Sequence, residues 1–92
     1  MTVGSLRVRL LLRQARTLKD KRQVVRSIID RLRNGFNVSI AEVDDLDQCQ
    51  IVALGIAMVG AEAYPVRTKL EKIVEALRSH PVAELLDHEI EV

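Results

Sequence analysis

Ala15-Arg16-Thr17-Leu18-Lys19-Asp20-Lys21-Arg22-Gln23-Val24-Val25-Arg26 marks the place where the hydrophobic period of this chain changes. Ahead of it, Leu6, Val8, Leu10 and Leu12 alternate with Arg7, Arg9, Leu11 and Arg13. A period of two predicts a strand over about residues 3–12 with one apolar and one basic face. Behind it, Leu18, Val24, Val25, Ile28, Ile29 and Leu32 fall within one arc of about 140° when each residue turns 100°. That spacing predicts a helix over about residues 19–34. Thr17 is the expected N-cap, with Asp20 three residues on completing a capping box, and Gly35 suits a left-handed cap just past the end.

The same reading extends outward. Residues 36–43 alternate Phe36, Val38 and Ile40 with Asn37, Ser39 and Ala41, a second strand, and Asp44-Asp45-Leu46-Asp47 reads as a turn. Residues 49–59 form a third, strongly apolar strand whose bulky set is Val52, Leu54, Ile56 and Met58. A second helix over residues 64 or 65 to 79 carries the stripe Val66, Leu70, Ile73, Val74 and Leu77, and Pro81 bars its continuation. Residues 85–92 alternate Leu86, His88, Ile90 and Val92 with Asp87, Glu89 and Glu91, an edge strand.

The order β-α-β-β-α-β, with right-handed crossovers, gives an α+β, ferredoxin-like βαββαβ fold: a four-stranded antiparallel sheet with two helices on one face. The last strand then lies beside the first, and Asp87, Glu89 and Glu91 are expected opposite Arg7, Arg9 and Arg13 as cross-strand ion pairs.

Ninety-two residues make a single domain. With 48% hydrophobic and 29% charged residues the chain has the apolar surface to fold and the charge to stay in solution. Only Phe36 and Tyr64 are aromatic, so the core is aliphatic. One cysteine, Cys49, leaves no intramolecular disulfide and no CxxC metal site. With no basic-then-apolar leader and no membrane-length apolar run, a cytoplasmic location is expected and no membrane partner.

The net charge of +1 conceals a polarity. Residues 1–40 carry ten Lys/Arg against Asp20 and Asp30, a net of +8, while residues 41–92 carry four Lys/Arg against eleven Asp/Glu, a net of −7. Either the halves neutralise each other in the fold, or the basic half meets a polyanion. Arg22, Arg26, Arg33 and Lys19 fall within about 60° on the first helix, beside its apolar arc. With Arg16 in the preceding loop and Lys21 in the first turn they outline a basic patch. Cations in a first helical turn oppose the helix dipole at a cost of about 0.3–1 kcal/mol each when exposed. A rule broken at Lys19, Lys21 and Arg22 marks these residues, with the free N–H groups of the helix start, as an expected anion or nucleic-acid site.

The segments ARTLKDKRQVVRS, FNVSIAEVDDLD and LGIAMVG resemble the YlxP-like family of small bacterial proteins, a domain of unknown function, from Leu6 to Glu91. The resemblance implies a ferredoxin-like fold and a cytoplasmic bacterial protein. It also implies genes neighbouring those for transcription elongation, translation initiation and ribosome maturation. It supplies no catalytic residues, and the family often has Trp where this chain has Cys49.

Base readout of the kind made by RNA-recognition motifs needs aromatics on the central strands, which this chain lacks. The loop Arg13-Gln14-Ala15-Arg16-Thr17 has no glycine, unlike the phosphate cradle of the acylphosphatases that share the fold. No Ser, Cys or His sits in a nucleophile or metal-ligand motif, so neither an enzymatic activity, a cofactor nor a small-molecule substrate is expected. Glu42, Asp44, Asp45 and Asp47 lack the glycine and distal Glu of a calcium loop. The expected partner is structured RNA or the ribosome. A second copy is the other candidate partner, docking on an open sheet face where Leu11, Ile51, Ala53, Gly55 and Ala57 are small or apolar, unless arginine and glutamate stems cover it.

Overall fold

A computed structural model describes all residues, Met1–Val92. The elements are β1 (Thr2–Leu11), α1 (Leu18–Gly35), β2 (Ser39–Asp44), β3 (Ile51–Gly60), α2 (Ala63–Arg78) and β4 (Glu84–Glu91). The strands form one antiparallel sheet in the order β2-β3-β1-β4. The fold is ferredoxin-like, with the terminal strands β1 and β4 adjacent as the topology requires.

The two periodicities of the sequence meet in one core. Leu6, Val8 and Leu10 from β1 and Val52, Leu54, Ile56 and Met58 from β3 are buried beneath the helices. From above come Val25, Ile28 and Leu32 of α1, and all five stripe residues of α2, Val66, Leu70, Ile73, Val74 and Leu77. Val24 and Ile29 flank this core half-buried, and Leu18 is exposed.

Helix α2 packs Val66 and Leu70 against the sheet over Gly4. A Cβ there would stand 2.5 Å from Val66 Cγ1 and 3.0 Å from Leu70 Cδ1. Gly4→Ala therefore overpacks the β1–α2 contact, and a loss of about 1–3 kcal/mol is expected in a denaturant titration. The companion Val66→Ala relieves the clash and recovers part of that loss.

Three expectations are corrected. Gly35 is not a left-handed cap: it is the last residue of α1, no glycine has positive φ, and Phe36 caps the helix with φ −142° and its N–H on Leu32 O at 2.8 Å. The helix runs straight into extended backbone, so it needs no reversal. Leu86 does not face the core. A bulge pairs Leu10 with Leu85 and Arg9 with Asp87, which brings Leu85 inward and leaves Leu86 exposed, while His88 and Ile90 keep their register opposite Val8 and Leu6. Asp44 is not in the turn: a second bulge, at Val43, keeps it in β2 beside Ala53 on the outer face.

Candidate nucleic-acid interface

The β1–α1 junction is built by the expected capping box. Thr17 Oγ1 accepts from Asp20 N–H at 3.1 Å, and Asp20 Oδ2 accepts from Arg16 N–H at 3.0 Å and Thr17 N–H at 3.2 Å. These hydrogen bonds, the one from Arg16 first, hold the Asp20 carboxyl below the usual carboxylate range. The helix start thus already carries an anion of the chain's own. The Asp20 carboxylate repels a second anion from the helix start, so an external phosphate is met by side chains instead.

Lys21 departs from the sequence expectation most sharply. It is 2% exposed and is the only charged residue among the buried ones. Its Nζ donates to Asp45 O and Gln48 O, both at 2.7 Å, and lies 2.6 Å from Glu42 Oε2. The contact with Glu42 is an ion pair off the hydrogen-bonding line. Lys21 therefore latches the first turn of α1 onto the β2–β3 turn, and it does not belong to the basic patch. The signal was in the sequence: at 100° per residue Lys21 falls between Ile28 and Leu32, in the middle of the apolar arc. Its two carbonyl acceptors were not, because they come from a turn 24 and 27 residues away.

The other five residues of the patch, Arg16, Lys19, Arg22, Arg26 and Arg33, are exposed. None has a carboxylate within 4.0 Å. Arg33 Nη2 donates to Ile40 O on the edge strand β2 at 3.3 Å, which fixes the lower end of the row. From Lys19 to Arg33 the row is about 21 Å long, given a rise of about 1.5 Å per residue. Asp30 is the single carboxylate of α1 on this side, and it pairs with none of the five.

The arginines of β1 behave oppositely. Arg9 pairs with Asp87 at 3.2 Å, Arg13 with Glu84 at 3.0 Å, and Arg7 with Asp44 at 3.0 Å. Only the first is one of the cross-strand pairs expected. The register sets Arg7 opposite Glu89, but the bulge in β2 brings Asp44 within reach across β3. Neutralisation therefore accounts for the strand arginines and not for those on the helix. Asp44 is held below the usual carboxylate range by the Asp45 N–H first and by Arg7 second. Asp45, at φ 54°, takes the tight turn that follows.

On the open face of the sheet, Ala53 is fully buried and is removed from the expected apolar patch. The Arg7–Asp44 bridge joins strands on either side of β3 and passes over it. Leu11, Ile51 and Gly55 are half-buried and Ala57 is exposed.

The remaining reactive side chains have structural partners. Cys49 Sγ sits 3.9 Å from Ala15 O. His80 Nδ1 accepts from Val82 N–H and Ala83 N–H, each at 3.2 Å, and so ties the α2–β4 loop. Burial, and then the nearby Arg31, lower its pKa below 6.5. The folded state thus favours neutral His80, and the stability it lends is present above the unfolded value and lost as pH falls below it. Amide exchange at Val82 and Ala83 is expected to quicken, beyond its intrinsic pH dependence, below about pH 6.5. His80→Gln abolishes that step.

No helix is long and apolar enough to cross a membrane. Residues 3–90 match the family model described as "Protein of unknown function (DUF503)". The uncharacterised protein YlxP of Bacillus subtilis (strain 168) is 32% identical over 82 residues, which cover 89% of each chain. With the fold, the match over nearly the whole length and this relative together, the chain belongs to the DUF503 family of proteins of unknown function.

Proposed function

We propose that this domain is a non-enzymatic binding module that contacts structured RNA, free or within the ribosome, through the exposed row Arg16, Lys19, Arg22, Arg26 and Arg33. One observation carries the reading: these five cations lack a carboxylate partner, whereas every arginine of β1 and its exit has one. Unpaired cations over about 21 Å of helix supply phosphate contacts and electrostatic steering without base readout. The absence of aromatics from the central strands agrees with recognition of backbone and shape.

Capture of partners from a bacterial lysate, at low and high salt and with and without ribonuclease, tests this directly. Ribosomal or other structured RNA is expected in the low-salt fraction, lost on nuclease treatment and strongly reduced at high salt. Nuclease-resistant capture of an acidic protein assigns the row to a protein partner instead.

A further inference from the structure

The open face of the sheet has the form of a step. In successive rows across the strands, the register sets Ser39, Ala57, Ser5 and Glu91 side by side, then Ala41, Gly55, Arg7 and Glu89. The β2–β3 half, with Ser5 of β1, is a floor of small residues, and Arg7, Glu89 and Glu91 stand above it. A depression of about 590 Å³ lies over the floor, walled by Arg7, Val43, Glu89 and Glu91. A side chain at position 55 cannot share this floor without moving Val43, whose Cγ1 is 2.9 Å from where its Cβ would be.

We propose that this face is the interface of a symmetric homodimer, formed about a two-fold axis parallel to the strands. Such an axis lays β4 over the partner copy's β2 and β1 over its β3, row against row. The raised side chains of each copy then enter the floor of the other, Glu89 and Glu91 over Ala41 and Ser39. Apolar pairs close both ends: Val3 against Val59, which are 57% and 63% exposed in the single chain, and Leu11 against Ile51.

Charge selects this axis over the alternative. Glu89 and Glu91 have no cation within 4.0 Å in the single chain. A two-fold axis across the strands sets β4 on β4, which crowds four carboxylates and meets long side chains with long ones. The parallel axis keeps those carboxylates apart and at the solvent-open sheet edges, Glu89 over Ala41 and Glu91 over the Ser39 hydroxyl. In the adjoining row Asp87 meets the partner copy's Asp44, each already neutralised by its own arginine, Arg9 and Arg7. Four strands about 4.8 Å apart and six to ten residues long present roughly 550 Å² in projection, toward the lower end of what each partner of a specific interface buries. The surface used is separate from the basic row of α1, so dimerisation leaves the proposed RNA contact free.

Sedimentation and cross-linking test this on the full chain. The wild type is expected at twice its 10.4 kDa chain mass, persisting at high salt because no ion pair across the interface is required. Ala41→Arg fills the floor from an exposed position and is expected to give a folded monomer. In a Cys49→Ser background, Ser39→Cys with Glu91→Cys is expected to yield a covalent dimer with a short bismaleimide, while Glu91→Cys alone yields none. A wild-type monomer at all concentrations, a dimer indifferent to Ala41→Arg, or cross-linking by Glu91→Cys alone overturns the proposal.

Discussion

Lys21→Met costs the domain about 3 kcal/mol, despite removing what the sequence presents as one more surface cation. Methionine keeps the buried stem but leaves the Glu42 carboxylate and the carbonyls of Asp45 and Gln48 without their donor. Removing one partner of a buried pair typically costs about 3–5 kcal/mol, because the other charge stays behind uncompensated. Glu42 retains some solvent access, at 20% of its side chain, which places the effect at the lower end of that range. For a domain of this size the loss corresponds to a fall in Tm of roughly 12–20 °C in calorimetry. Lys21→Met with Glu42→Leu removes the orphaned charge and recovers much of it. A fall of only a few tenths of a kcal/mol in the single variant contradicts the latch.

Charge reversal on α1 produces the second large effect, on binding. If all five free cations contact phosphate, the affinity for RNA falls roughly 10²-fold between 50 and 200 mM salt. Arg22→Glu with Arg26→Glu removes two contacts and places two carboxylates in the path of the backbone. Each lost contact lowers the salt slope by about 1, so a drop of about 2 is expected, with binding at physiological salt reduced to background. The fold is unaffected, since both side chains are exposed and unpaired. Arg67→Glu with Lys72→Glu changes net charge equally on α2 and is expected to leave the slope nearly unchanged. That control separates a located patch from the overall charge of the molecule.

The elements were legible because their apolar periods are clean. Leu6, Val8 and Leu10 declare a strand by alternation, and Val66, Leu70, Ile73, Val74 and Leu77 declare one helix face, all buried as expected. The Thr17–Asp20 box was legible too, being set by four consecutive residues. What escaped the sequence depended on contacts between distant segments or on a shift of one residue. Asp44 reaches Arg7 only because β2 bulges at Val43, and Leu86 turns outward only because β4 bulges beside Arg9.

The basic patch shows both sides of this. Six cations were grouped by sequence, and the fold separates them by what each one meets. Lys21 finds a carboxylate and two carbonyls inside the molecule, so its violation of the dipole rule is answered by burial. Asp20 occupies the helix start itself. Arg16, Lys19, Arg22, Arg26 and Arg33 remain without an internal carboxylate, and they alone carry the functional claim.

The most direct test of that claim is the slope of log binding constant against log salt for structured RNA, measured on the wild type and on the Arg22→Glu/Arg26→Glu variant. Five phosphate contacts predict a slope of about −3.5 to −4.5 for the wild type, reduced in size by about 2 in the variant. A flat wild-type dependence, or the same slope in both proteins, contradicts the assignment of the α1 row as an RNA-binding surface.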